Sequence, residues 1–277
     1  MELENDGTAL IVQGARIPRL GFGTWLLQGD EAYDGVRDAL EIGYRHIDTA
    51  RAYENEEDVG RAIADSGVDR GELWLTTKLW TSEFAPDRVR RATEDSLRNL
   101  RVDHVDLLLL HWPNPEVELE ATLQALAELR DDGLIGHAGV SNVPAGLLVR
   151  ALEISPLLAD QVEYHPFLGQ DALIDVCLAN DLTLTAYSPL AHGEVPKDLA
   201  LIEIGEAHGK SAGQVALRWL VDQKCVTTAP KASSHARRVE NFEVFDFALT
   251  DGDRARIDAM RKDRRTVDPP WAPDWAA

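Results

Sequence analysis

A chain of 277 residues, 44% of them hydrophobic, can fill the core of one large domain, and no apolar run in it approaches the ~20 residues that a membrane span needs. Its formal charge of −20 argues against nucleic acid or an anionic membrane surface as a partner. The two cysteines, Cys177 and Cys225, make neither a disulfide framework nor a metal motif, and the acidic start Met1-Glu-Leu-Glu-Asn-Asp lacks a signal-peptide layout, so a reducing cytoplasm is expected.

Taken in order, residues 8–17 read as a hairpin: Ala9-Leu-Ile-Val12, a Gln-Gly turn, then Ala15-Arg-Ile17. Arg19 to Trp25 reads as a first core strand. Further strands are expected over 45–50, 73–78, 106–111, 137–141, 159–164, 182–188 and 226–230. Helices are expected over 31–42, 56–66, 86–100, 119–131, 145–154, 170–180, 198–208, 211–222, 234–242 and 250–261. The helix at 86–100 keeps Val89, Ala92, Leu97 and Leu100 on one face, and the helix at 119–131 spaces Leu119, Leu123, Leu126 and Leu129 in the same way.

Eight strands alternating with helices, with no long linker between them, predict an α/β fold: a closed (β/α)8 TIM barrel with an N-terminal β-hairpin and two extra helices. An open doubly wound sheet is the runner-up. No composition shift marks a boundary, so one barrel domain is expected over 1–277. Residues 262–277 form a tail, and Asp268-Pro-Pro-Trp-Ala-Pro-Asp-Trp is too rich in proline for a helix.

In such a barrel the carboxyl ends of the strands open onto one face, where active sites are built. Asp48, Lys78 and His111 close three successive expected strands, and Tyr53 follows Asp48 on the next loop. A free tyrosine has a pKa of about 10 and is a poor proton donor at neutral pH. An ammonium beside it lowers that pKa, and a carboxylate keeps the ammonium charged and in place. The combination reads as Asp48 holding Lys78, Lys78 tuning Tyr53, Tyr53 acting as general acid, and a neutral His111 orienting a carbonyl oxygen. Each residue alone has a plainer explanation: a helix-capping Asp, a structural His, or a Schiff-base Lys. The four together favour the catalytic one. Trp25, Trp80 and Trp112 follow successive strand ends and would wall a pocket for an apolar or flat substrate, although plain packing would place them there too. Gly21-x-Gly23 is not a dinucleotide fingerprint, because position 26 is Leu and the context is wrong.

From Gly21-Phe-Gly-Thr-Trp25 onward the chain resembles the aldo-keto reductase family, and within it the 2,5-diketo-gluconate reductases. The motifs fall in family order over about residues 8–250: Asp48-Thr-Ala-x-x-Tyr53, Thr77-Lys-Leu-Trp80, Leu110-His-Trp-Pro113, Gly139-Val-Ser-Asn142, Gln161-Val-Glu-Tyr-His-Pro166, Tyr187-Ser-Pro-Leu190, then Pro230-Lys231 with Arg237 and Glu240-Asn241. The resemblance implies an NAD(P)H-dependent reductase of aldehydes and ketones (sugar-derived, keto-acid or aromatic carbonyls) with Asp48, Tyr53, Lys78 and His111 as its catalytic tetrad. It implies cofactor contacts at Gly23, Thr24, Ser141, Asn142, Gln161, Tyr187, Ser188, Leu190, Lys231, Ser233, Arg237, Glu240 and Asn241. Substrate would meet Trp25, Trp80, Trp112 and His111, with the tail as a short C-terminal loop over the active-site face. Trp271 and Trp275 would line the pocket or pack on the rim.

Lys231 and Arg237 match family positions that grip an adenosine 2′-phosphate, which implies NADPH over NADH. The serine usual after that lysine is Ala232 here, so NADH use is also possible unless Ser233 or Ser234 replaces the lost bond. No metal is implied. A small-molecule carbonyl is the expected partner, with no nucleic acid or membrane, and a monomer is the family habit. The alternatives are a non-catalytic NADPH-binding sensor or subunit of the same fold, and a Schiff-base aldolase built on Lys78.

The acid is spread along the chain rather than gathered in a tail, and lysine is scarce, at Lys78, Lys197, Lys210, Lys224, Lys231 and Lys262 only. Dispersed carboxylates repel one another unless salt screens them. Either the surface is adapted to high salt, as in a halophile, or this is an ordinary acidic cytosolic protein. A steep rise in unfolding free energy between low and molar salt is the expected outcome of the first, read by urea denaturation; indifference to salt leaves the second.

Overall fold

The computed structural model describes residues 1–3, 7–260 and 263–276. It opens with an antiparallel sheet of β1 (Glu2–Leu3), β2 (Ala9–Val12) and β3 (Ala15–Pro18), paired in that order. Gln13 and Gly14 turn the β2–β3 hairpin with φ of 50° and 82°, the left-handed pair that a two-residue turn requires. β1 was not expected; two residues carry no readable period.

Eight parallel strands follow: β4 (Phe22–Gly23), β5 (His46–Asp48), β6 (Trp74–Leu79), β7 (Val105–Leu110), β8 (Ile135–Ser141), β9 (Ala159–Glu163), β10 (Thr183–Tyr187) and β11 (Val226–Thr228). Each pairs with its sequence neighbour from β4 to β11. A parallel bridge between Leu20 and Thr228 joins the two ends and closes the barrel. Gly21 N–H donates to Thr228 O (2.7 Å) and Gly23 N–H to Pro230 O (3.1 Å) across that seam. A Cβ on Gly23 would stand 2.6 Å from Ala229 O, and one on Gly21 2.9 Å from the His46 ring. Gly23 therefore serves backbone approach at the seam and Gly21 makes room for the His46 ring, in keeping with rejecting them as a phosphate-binding loop.

The helices are α1 (Gly29–Ile42), α2 (Glu56–Asp65), α3 (Pro86–Leu100), α4 (Leu119–Asp131), α5 (Ala145–Ile154), α6 (Asp171–Ala179), α7 (Leu199–His208), α8 (Ala212–Val221), α9 (His235–Phe242) and α10 (Asp251–Asp258). Ten described helices for eight barrel strands leaves two extra, α7 and α10, as expected. α3 starts on Pro86 and buries Val89, Ala92, Leu97 and Leu100, the face foreseen from spacing. Ser211 and Gln214 close a capping box at α8, and Asp198 caps α7. α10 stops at Asp258, short of the expected 261; Arg261, like Lys262 and Ala277 of the tail, lies outside the described residues. The first core strand is also shorter than Arg19 to Trp25, because only Phe22 and Gly23 pair with β5.

The strands are buried on both faces. Leu75, Leu79, Leu108 and Leu110 face the helices, whereas Trp74, Leu107 and Leu109 pack inside with Leu10, Val12 and Ile17 of the hairpin, which plugs the amino-terminal end. The same alternation sends Gln161 and Glu163 of β9 one way and Asp160 the other, alongside Val162. Asp160 is fully buried with neither carboxylate oxygen hydrogen-bonded. Burial pushes its pKa well above the usual carboxylate range; the Val143 backbone amide favours the anion but does not offset this.

Asp160 thus folds protonated and unfolds to an ordinary carboxylic acid. Its contribution to stability is fully present below the unfolded pKa near 3.8 and is lost as pH rises toward the folded one. Asp160→Asn should therefore gain stability over the parent, read as Tm, as pH rises above the unfolded pKa near 3.8. A Tm difference that stays constant with pH would sink this.

Candidate active site

β5 ends on Asp48, and a single 3₁₀ turn, Arg51–Tyr53, carries the phenol over the barrel mouth. Lys78 lies near the end of β6 and points inward, fully buried. Its Nζ reaches Asp48 Oδ1 (2.5 Å), Thr49 O (2.9 Å) and Tyr53 OH (3.3 Å). Three donors thus meet three acceptors, so the buried ammonium is fully satisfied. The other Asp48 oxygen accepts from Gln161 Nε2 (2.6 Å).

His111 follows β7 directly, one residue past the strand. Its ring stands edge-on to Trp80 (5.3 Å, 89°) and to Tyr53 (5.7 Å, 73°). Its Nδ1 is buried without a partner. The structure therefore brings all four expected groups, Asp48, Tyr53, Lys78 and His111, to one end of the barrel.

The electrostatics agree with the expectation at two groups and correct it at a third. Burial, helped by the Lys78 charge, holds the His111 pKa well below the usual imidazole range, so this ring is neutral at physiological pH. Burial also opposes the charge on Lys78, but Asp48 and Tyr53 outweigh it and the net shift is upward. For Tyr53 the reading that Lys78 lowers the phenol's pKa fails on balance. Burial pushes it up, and the ammonium only opposes that rise. The sequence shows the ammonium but not the surroundings of the half-buried phenol.

A second group of polar side chains lies beside the first. Ser141 Oγ donates to Gln161 O (2.8 Å). Asn142 Nδ2 donates to His111 O (2.9 Å) and to Ser141 Oγ (3.1 Å), and Tyr187 OH donates to Asn142 Oδ1 (2.7 Å). Asn142 takes φ 61°, a left-handed conformation that asparagine tolerates. Thr24 is buried against the tetrad, its N–H and hydroxyl both on Asp48 O at 3.0 and 3.2 Å. Gly23 lies beside the backbone of Lys231, so the seam adjoins the tetrad on one side and the residues preceding α9 on the other.

Around the start of α9, Lys231, Ser233 and Arg237 are exposed, and Lys231 and Arg237 have no ion pair among the described residues. Ala232 is buried. Ser234 caps α9, its Oγ accepting from Arg237 N (3.4 Å). Arg238, by contrast, is buried and ion-paired with Asp38, a structural cation. Asn241 is buried, and Glu240 is half-buried with its carbonyl accepting from Gln214 Nε2 (3.0 Å). Ser188 and Leu190 are half-buried beyond β10, and Ser188 Oγ meets His192 Nε2 (3.1 Å).

The tryptophans divide. Trp112 is buried and packs on Trp275 of the tail (6.2 Å, 65°), so Trp275 covers the site beside His111. Trp80 borders His111, and Trp25 stands 42% exposed against His192. Trp271 is 60% exposed.

Several supporting residues were not singled out from sequence. Asn55 looks like a helix cap before α2 yet makes no capping bond. Instead its Nδ2 donates to Thr24 O (2.9 Å) and Leu27 O (2.8 Å) while Oδ1 accepts from the Thr49 hydroxyl (2.9 Å), tying the loops that carry Trp25 and Tyr53. Glu163, at the end of β9, holds the tail. Nothing in a lone Glu or Asn marks such a role. A separate cavity opens at the other end of the barrel among Ala15, Arg45, Trp74 and His137, away from the tetrad. No cluster of described side chains could hold a metal ion, and no described helix is long and apolar enough to cross a membrane.

Comparison with known proteins agrees with this geometry. The model of the aldo/keto reductase family matches residues 19–262. The glyoxal reductase of Bacillus subtilis is 41% identical over 262 residues, spanning 93% of this chain and 94% of that one. The 9,11-endoperoxide prostaglandin H2 reductase of Trypanosoma cruzi is 40% identical over 94% of both. A crystal structure whose assignment as 2,5-diketo-D-gluconic acid reductase B is provisional in its own name superposes with a TM-score of 0.96 at 43% identity, over 99% of this chain and 100% of that one. With the match spanning the barrel and the tetrad at its mouth, the chain belongs to the aldo/keto reductase family.

Proposed function

We propose that this protein is an NADPH-preferring reductase that converts aldehydes and ketones to alcohols, working as a cytoplasmic monomer built as one barrel domain with the tail at its mouth. The observation that carries the reading is the threefold hydrogen bonding of the buried Lys78 to Asp48, Thr49 and Tyr53, with a neutral His111 facing the same phenol.

The family generally uses nicotinamide cofactors, and the donor set here fits one. Ser141, Asn142 and Gln161 offer amide and hydroxyl groups for a carboxamide, and Tyr187 offers an aromatic face beside them. The unpaired cations Lys231 and Arg237 suit a phosphate, and Gly23, Thr24, Ser188, Leu190, Ser233, Glu240 and Asn241 lie along the path between. A bound dihydronicotinamide supplies the hydride. Gln161 spends one amide N–H on Asp48, which leaves its second N–H and its Oε1 to meet the cofactor's carboxamide.

Burial keeps the Tyr53 proton on its oxygen in the resting site. As the substrate oxygen gains charge, Tyr53 gives up that proton, and the nascent phenolate is stabilised by Lys78 Nζ at 3.3 Å. Asp48 keeps Lys78 charged throughout. His111, neutral and held by Trp80 and Tyr53, donates an N–H to the carbonyl oxygen and aligns it. Trp25, Trp80 and Trp112 bound the substrate's other faces. The names of the relatives span glyoxal, methylglyoxal and prostaglandin substrates, so the pocket is read as tolerant.

Tyr53→Phe should lower kcat by about 10²–10⁴ while NADPH binding, followed by fluorescence, stays intact. A variant that turns over like the parent would overturn the general-acid role, and a parent that binds NADPH without turnover on any carbonyl would favour a cofactor sensor. Lys231→Ala and Arg237→Ala should each weaken NADPH binding by about 1.5–3 kcal/mol and leave NADH nearly unchanged. Equal losses on both cofactors would remove these residues from the 2′-phosphate.

A further inference from the structure

Glu163 makes an unusually complete set of contacts for a residue outside the tetrad. It is fully buried. Its Oε1 accepts from His165 Nε2 (2.9 Å), Thr266 N (2.7 Å) and Thr266 Oγ1 (2.5 Å), and its Oε2 accepts from Val267 N (2.9 Å). These bonds outweigh burial and hold its carboxyl below the usual range. Arg264 N–H adds a bond to Phe167 O (3.2 Å). Residues 264, 266 and 267 are therefore clamped to the end of β9, and the residue between them has little freedom.

That residue is Arg265. Its guanidinium carbon sits 3.6 Å from the centre of the Trp275 ring, and Trp275 packs on Trp112, the neighbour of His111. Glu163, Tyr187 and Asp268 lie within electrostatic reach of it. Its Nη1 is shut away from solvent, yet it has no hydrogen-bond partner. The nearby carboxylate of Glu163 is already occupied by four donors, and Asp268 Oδ1 by Trp275 Nε1 (2.9 Å). A half-buried cation with an idle N–H, stacked on Trp275 beside the aromatic wall of the pocket and clamped on both sides, is placed to receive an anion.

We propose that Arg265 is a specificity-determining residue that pairs with a carboxylate on the substrate, so that this protein prefers carbonyl compounds carrying an acid group. This deepens the reductase reading and rests on it. Arginine suits the role because its planar fork meets a carboxylate through two parallel bonds, and stacking on Trp275 fixes the plane of the fork. Glu163 acts on the substrate only through Arg265, as a positioning residue. A phosphate of the cofactor could supply the same anionic chemistry, and the experiment separates the two sources.

The test compares acid with ester at two lengths: 4-carboxybenzaldehyde against methyl 4-formylbenzoate, and 4-oxobutanoate against its methyl ester. The parent should show a higher kcat/KM for the acid in at least one pair. In Arg265→Met that acid-to-ester ratio should fall on the order of tenfold to a hundredfold, carried mainly by KM. Arg265→Lys should keep part of the ratio, since the charge remains and the fork is lost, and NADPH affinity should stay within about twofold in both variants. An unchanged ratio in Arg265→Met overturns the proposal. So does a ratio that holds while NADPH affinity drops, which assigns Arg265 to the cofactor's phosphates. A parent that reduces none of the four aldehydes removes the reductase reading itself, whereas one that reduces acid and ester equally removes only the role of Arg265.

Discussion

Lys78 is an ammonium with no exposed surface at the heart of a barrel. Taking such an ion from water costs several kcal/mol even after relaxation, and only good geometry repays it. The site is the repayment. Asp48 at the end of the neighbouring strand supplies the countercharge, the Thr49 carbonyl a second acceptor, and the Tyr53 oxygen a third. Each acceptor is itself held: Asp48 by Gln161, Thr49 by Asn55, and Tyr53 through its carbonyl by Gln28 Nε2 (2.6 Å). Removing any acceptor leaves a charge or a donor stranded in a low dielectric, so the requirements of folding and of chemistry fall on the same atoms.

Much of this was readable because the relevant signals are local. Period-2 and 3.6-residue patterns set most of the elements within a residue or two, the first core strand and α10 excepted, and Asp48, Lys78 and His111 at or beside the ends of β5, β6 and β7 came from the same patterns. Weaker local signals failed in informative ways. β1 is too short to show a period, and the Leu20–Thr228 seam pairs residues at opposite ends of the barrel sequence. Tyr53's upward shift is a matter of burial, which depends on what the fold packs around it, the His111 ring among them. Asn55, Glu163 and Arg265 are ordinary polar residues until the fold brings them to carbonyls, amides and a tryptophan far along the chain. Arg238 is as silent in the sequence: it adjoins the exposed Arg237, yet Asp38 of α1 takes it into the interior.

The two polar groupings at the mouth are coupled. Asn142 bonds the carbonyl of His111 with one end of its amide and accepts the Tyr187 hydroxyl with the other. The imidazole and the aromatic face beside it therefore share one rigid link across β7, β8 and β10. Gln161 plays the matching part between Asp48 and Ser141, receiving the Ser141 hydroxyl on its own backbone carbonyl. The strands fix the spacing of these residues, and their amides fix the orientation.

The clasp on Glu163 also bears on how the chain comes together during synthesis. The groups it holds lie 103 and 104 residues downstream. Chains leave the ribosome amino end first, so β9 is made long before Thr266 and Val267 exist. Until then Glu163 has only His165 among these four donors, and water must serve the rest. The tetrad, whose members all precede residue 112, needs nothing from the tail. The clasp that holds the tail over the mouth can therefore form only after the whole barrel sequence has been made.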